Sequence, residues 1–136
     1  MTKATVTAVI TSGSRTENAV LLTMRNVPPF EGFWCLPGGH IDAYETAEHA
    51  VEREVLEETG LAFQASGFLG YFDEIFPECH FHAVVLAFFG TGTGQLRACP
   101  GEVREIAWIS LREAIAMPLA FNHNKVLQHY ASLLES

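Results

Sequence analysis

Three glutamates, Glu54, Glu57 and Glu58, stand within five residues of one another at the end of a segment that reads as a helix. With Glu54 set at zero, Ala47 falls at about +20°, Glu58 at about +40°, Val51 at about +60° and Glu57 at about −60° around that helix. Glu54 and Glu58 therefore share the face whose alanine and valine residues pack toward the body, and Glu57 lies at its edge. Burying unpaired carboxylates is costly or forces them to protonate, and neighbouring ones repel each other further. A bound Mg²⁺ or Mn²⁺ resolves both problems, because hard cations take oxygen ligands. The plainer alternative is a solvated helix whose Arg53 forms a structural ion pair. Ahead of the helix, the Gly38-Gly39 pair would let a main-chain carbonyl approach the same ion.

The elements that position this helix follow from periodicity and turn residues. Thr5 to Ile10 and Asn18 to Met24 read as strands separated by a turn over residues 11–15. A proline-containing loop and a short extended piece, Phe33 to Leu36, lead to the glycine pair. The helix is expected from Glu45 to Thr59, with Gly60 as its left-handed C-terminal cap. Phe63 to Phe72 reads as a strand, residues 73–79 as a hairpin loop and Phe81 to Phe89 as a strand buried on both faces. Residues 90–101 read as loop, and Val103 to Ile109 as a last strand with Trp108 facing inward. Ser110 caps a short helix, Leu111 to Ala116, and a final helix runs from about His123 to Leu134. The expected fold is α+β, a mixed sheet between helices in an αβα sandwich, forming one domain over residues 1–136.

Composition narrows the partners. Eight basic against sixteen acidic residues give a net charge of −8, which disfavours nucleic acid or an anionic membrane surface. A small anionic ligand remains open, provided a cation bridges it to the protein. No apolar run reaches the roughly 20 residues that span a bilayer, and the N-terminus lacks a signal-peptide layout. Three widely spaced cysteines make no disulfide framework, so a cytoplasmic location is expected.

Gly39, Glu45, Arg53-Glu54-Val55, Glu57-Glu58 and Gly60-Leu61 resemble the complete Nudix (MutT-like) box, which fixes nine positions over 23 residues. The lead-in from Gly32 to Gly38 resembles that family as well. The resemblance implies an αβα sandwich and metal-dependent hydrolysis of a nucleoside diphosphate linked to another moiety, by water attack at phosphorus. It implies metal binding by Glu54, Glu57, Glu58 and the Gly38 carbonyl. It further implies that Arg53 orients the carboxylates and that Glu45 steadies the turn into the helix. The base is placed variously in the family. Glu57 is the first choice, and Glu102, six residues before Trp108, resembles a late-loop glutamate that acts as base or extra ligand. A homodimer would be in keeping with the family.

Substrate candidates lie outside the box. Arg25, at the end of the second strand, is placed to reach a phosphate. Asn122 resembles a position that hydrogen-bonds a base, and is equally a helix cap. Phe72, Phe76 and Phe81 flank the hairpin and are placed to stack on a base. Cys79, His80 and His82 lack a fourth ligand at zinc-finger spacing and are not read as a metal site. The run from Asn26 to Gly32 resembles members acting on ADP-ribose, whereas the phenylalanine–proline hairpin and Asn122 resemble members acting on (oxidised) nucleoside triphosphates. The reading leans to ADP-ribose or a nucleotide sugar. A non-hydrolytic nucleotide sensor and a metal-dependent isomerase of the same fold are the other classes.

Overall fold

The computed structural model describes residues 1–13 and 18–135. Seven strands and three helices follow in the order β1 (Lys3–Thr11), β2 (Ala19–Arg25), β3 (Trp34–Cys35), β4 (Gly38–His40), α1 (Ala47–Thr59), β5 (Ala62–Phe76), β6 (Phe81–Thr93), β7 (Val103–Ser110), α2 (Leu111–Ala116) and α3 (His123–Leu134). One sheet has the order β4-β1-β6-β5, the other β3-β2-β7. The first is mixed, because β1 runs parallel to β6 and antiparallel to β4.

Alternation along the strands builds two cores. Val6, Ala8 and Ile10 of β1 and Leu21 of β2 bury against Ala50, Val51 and Val55 of α1. Val9, Val20 and Leu22 point the other way, onto Leu111, Ala114, Val126, Leu127 and Tyr130 of α2 and α3. The sheets therefore lie between helices, the expected αβα arrangement. Among the described residues, no helix is long and apolar enough to cross a membrane.

Several boundaries differ from expectation. Helix α1 begins at Ala47, because the Thr46 hydroxyl caps it by accepting from the His49 N–H; Glu45 lies outside. Strand β5 continues through Phe76, since Asp73 to Phe76 pair with Val84 to Phe81; only a 3₁₀ turn, Pro77–Cys79, remains of the loop expected over 73–79. Polar Asp73 and Glu74 had hidden that continuation. Residues 90–93 likewise extend β6 rather than forming loop. His80 adopts a left-handed turn conformation and lies just outside β6. Trp108 is not interior: it is 37% exposed, because β7 lies at the edge of its sheet. The turn expected over 11–15 falls partly outside the described residues.

Candidate active site

Arg53 organises the C-terminal half of α1. Its Nε and one terminal nitrogen donate to the two Glu45 carboxylate oxygens at 2.8 and 2.9 Å, a bidentate pair. The same side chain donates to the His40 carbonyl at 3.0 Å, to Glu54 at 3.0 Å and to Glu57 at 3.3 Å. Glu45 in turn accepts from the Asp42 N–H and contacts His49 Nδ1 at 2.6 Å. Helix, turn and β4 are thereby tied together through one guanidinium.

The Arg53 bonds hold the Glu45 carboxyl down to about 2, helped by the Asp42 N–H. A depressed folded value stabilises the fold above the unfolded value of about 4.3 and loses that contribution as pH falls toward 2. Glu45→Gln should therefore flatten the decline in stability between those limits, as read by urea denaturation at stepped pH.

The other carboxylates are pushed upward. Burial raises Glu54, offset in part by Arg53, while Glu57 and Glu102 add repulsion. Burial raises Glu58 well above the usual range; the Gly38 N–H, donating to it at 2.8 Å, opposes this, and Cys35, Glu54 and Glu102 reinforce it. Glu57 is about half exposed, with its side chain 52% accessible. Among the described residues, no three carboxylate, imidazole or thiol groups converge into a ready-made metal cage. Arg53 draws Glu54 and Glu57 to itself, while Gly38 holds Glu58. The donor chemistry nevertheless fits a hard divalent cation: two half-buried or buried carboxylates with raised pKa lie beside an exposed third.

The glycines permit this approach. A Cβ on Gly38 would fall on the Val6 carbonyl oxygen of β1, and one on Gly39 would fall on the Glu54 carboxylate. Gly60 has φ 80° and donates its N–H to the Leu56 carbonyl at 3.0 Å, which ends α1 as expected.

A cleft of about 110 Å³ opens beside these groups. Its lining includes Gly38, Gly39, His40 and Glu58 together with Arg25, Glu74, Phe81, Phe121 and His123. Arg25 is thus in the cleft, where its guanidinium lies over the Phe121 ring at 4.9 Å and donates to the Pro29 carbonyl at 2.7 Å. Phe81 also lines it, and its ring sits 5.1 Å from that of Phe121. Phe76 packs behind, edge-on to Phe30 at 5.3 Å, and Phe72 meets the exposed His129 of α3 edge-on at 6.1 Å. Asn122 turns away, donating to the Asp73 carbonyl at 3.0 Å, and makes no side-chain cap hydrogen bond to α3. Glu102 is exposed and acts on Glu54 and Glu58 through its charge.

Glu74, Phe121 and His123 escaped sequence reasoning. The available signal was Asn122 itself: the residues on either side of it face the cleft. Glu74 was hidden in a stretch taken for loop.

A family model for the NUDIX domain matches residues 1–130. An ADP-ribose pyrophosphatase of Methanocaldococcus jannaschii is 32% identical over 115 residues, covering 84% of this chain and 66% of that protein. A putative 8-oxo-dGTP diphosphatase of Bacillus subtilis is 34% identical, covering 71% of this chain and 60% of that protein. The chain thus spans no more than about two thirds of the length of these relatives. Among solved structures, a MutT NUDIX hydrolase from Burkholderia pseudomallei superposes with a TM-score of 0.84 at 27% identity, covering 95% of this chain and 98% of that one. The NUDIX domain of Shewanella oneidensis NrtR, crystallised with ADP ribose, superposes at 0.85 with 26% identity, covering 98% and 89%. With the box residues gathered at one end of α1 and the fold matched along nearly its whole length, the chain belongs to the Nudix hydrolase family.

Proposed function

We propose that the protein hydrolyses the diphosphate bond of a nucleoside diphosphate derivative, with Mg²⁺ or Mn²⁺ as cofactor. The observation that carries this is the pair Glu54 and Glu58, pushed up by burial against Gly39 and Gly38, with Glu58 lining the cleft. Glu54, Glu57 and Glu58, with the Gly38 carbonyl, would hold the cation. Bound there, it would neutralise diphosphate oxygens, polarise phosphorus and lower the pKa of the attacking water.

The chain's own groups supply the rest. Glu57, exposed at the edge of the helix face, is placed to take the proton of the water. Arg53 is a positioning residue, fixing Glu54 and Glu57 relative to the β4 backbone. Glu102 adds negative charge at the same end, as a second base or a further ligand. Arg25 supplies positive charge on the cleft wall for a substrate phosphate.

Two substrate readings stand. ADP-ribose or a nucleotide sugar follows from the Asn26 to Gly32 run and from the relative named as an ADP-ribose pyrophosphatase. A nucleoside triphosphate follows from the relative named as a putative 8-oxo-dGTP diphosphatase. The test is a panel of ADP-ribose, nucleotide sugars, dinucleoside polyphosphates and (oxo-)dNTPs with Mg²⁺, scored by release of nucleotide or phosphate. Turnover of at least one diphosphate is expected; turnover of none, with Mg²⁺ or Mn²⁺, contradicts the proposal.

Cation binding has a readout that needs no substrate. Mg²⁺ should raise the melting temperature of the wild-type protein, because a ligand of the folded state alone stabilises it. Glu58→Gln should shrink that rise, and EDTA should abolish it. An equal Mg²⁺ effect on both proteins would remove Glu58 from the ligand set.

A further inference from the structure

The turn that carries Glu102 is fastened by a residue just past the end of β2. Strand β7 bulges against β2: Met24 pairs with Glu105 and Arg25 with Val103, which makes Arg104 the extra residue. Bulges next to active sites re-aim side chains. Here the Arg104 guanidinium turns onto the loop over residues 26–32. Its Nε donates to Asn26 Oδ1 at 3.1 Å, and a terminal nitrogen donates to Glu31 at 3.4 Å. Asn26 spends its remaining donors on the same turn. Its Nδ2 donates to the Gly101 carbonyl at 3.4 Å and its main-chain N–H to the Glu102 carbonyl at 3.0 Å. Residues 101, 102 and 104 are thus all bound by Asn26.

The turn has internal bonds of its own. The Cys99 carbonyl accepts from the Glu102 N–H at 3.3 Å and from the Val103 N–H at 3.1 Å. Gly101, at φ 93°, supplies the left-handed step between them. These bonds close the turn on itself, and buried Val103 anchors only its β7 side. The residues before Val103 are tied to the body at Asn26. Glu102 itself is exposed, yet its charge bears on Glu54 and Glu58 of α1. A flexible glutamate on a turn acts at a defined point only when neighbouring residues lock the turn beneath it. Arg25, the neighbour of Asn26, is fixed by the same loop. Its N–H donates to the Phe33 carbonyl at 2.9 Å, and its Nε to that of Pro29 at 2.7 Å. The end of β2 therefore presents Arg25 to the cleft and Asn26 to the Glu102 turn.

We propose that Asn26 is a positioning residue for the hydrolysis: through Gly101, Glu102 and Arg104 it holds the Glu102 carboxylate in place against the carboxylates of α1. This rests on reading Glu102 as a second base or a further ligand. Alanine at position 26 keeps the main-chain bond to Glu102 and removes both side-chain bonds, to Gly101 and from Arg104. The pairing of β2 with β7 survives, because it runs through Ala19 to Arg25. The turn loosens, and Glu102 spends less of its time at the point where it acts. Arg104→Ala removes the other half of the clamp and should have the same kind of effect.

A double-mutant cycle separates this role from a merely structural one. Wild type, Asn26→Ala, Glu102→Gln and the double variant are compared as full chains, by kcat and KM on the preferred diphosphate with Mg²⁺. Mg²⁺ affinity is measured on the same four by calorimetry, without substrate. Asn26→Ala should lower kcat about tenfold, as a small misplacement of a reacting group does, and leave KM within about twofold. In the Glu102→Gln background the same substitution should change kcat by less than about twofold, because the group it positions is gone. Equal losses in both backgrounds, or native kcat in Asn26→Ala, would overturn the proposal. If Asn26→Ala does not fold, Arg104→Ala takes its place in the cycle under the same criteria. Near-native kcat in Glu102→Gln beside inactive Glu57→Gln and Glu58→Gln would overturn this inference and leave the hydrolase reading standing. Turnover of no diphosphate would sink that reading instead, and Mg²⁺ affinity then decides. It should weaken several-fold in Asn26→Ala, and no further in the double variant than in Glu102→Gln; additive losses, or none, overturn the proposal.

Discussion

Replacing Glu57 or Glu58 with glutamine should each lower diphosphate hydrolysis by orders of magnitude, about 10²–10⁴-fold where the lost group moves a proton. The two variants should differ in stability. Glu57 is half exposed, so its replacement should change unfolding free energy by no more than about 0.5 kcal/mol. Glu58 is a carboxyl pushed well upward by burial. Its ionised form is therefore disfavoured by folding, a penalty present above the unfolded carboxylate value and relieved as pH drops through the folded one. A neutral glutamine there still accepts from the Gly38 N–H and should leave the metal-free protein at least as stable as the wild type at neutral pH. Activity assays paired with urea denaturation read both effects. Near-native rates in both variants would show that the glutamates of α1 are not the reactive centre.

The second large effect is expected from Gly38→Ala. The added methyl would fall on the Val6 carbonyl oxygen and come within 2.9 Å of the Thr7 Cα, both backbone atoms of the neighbouring strand. Neither is able to swing aside, so β4 must move off β1. Overpacking of this kind costs about 1–3 kcal/mol and sometimes more. The displacement would also carry away the N–H that holds Glu58 at 2.8 Å. Gly38→Ala should therefore lower the denaturation midpoint and lose both activity and the Mg²⁺-dependent rise in melting temperature. A variant of native stability and rate would mean that β4 does not approach β1 as closely as described.

What was legible in the sequence lies along one helix and its approach. Glu45, Arg53, Glu54, Glu57 and Glu58 are close in the chain, and helical geometry alone puts Glu54 and Glu58 on the packed face. The sandwich was legible too, because period-two alternation in β1 and β2 assigns residues to opposite faces. The cleft was not. Thr5, Glu74, Phe121 and His123 come from β1, β5 and the entry to α3, brought together only by the strand order β4-β1-β6-β5. Glu74 was obscured further because β5 carries two register shifts, at Ala65/Gly67 and Phe68/Gly70, which break its alternation. Trp108 failed for a related reason: periodicity gives a residue's face, while exposure also depends on whether its strand is central or at an edge.

Hydrolysis of the preferred diphosphate substrate by the Mg²⁺-loaded protein in ¹⁸O-labelled water, followed by mass spectrometry of the products, tests the central claim most directly. Water attack at phosphorus beside Glu54, Glu57 and Glu58 predicts one labelled oxygen in a single phosphoryl product, with turnover abolished by EDTA. Label on a sugar carbon rather than on phosphorus, or incorporation undiminished in Glu57→Gln and Glu58→Gln, would contradict it.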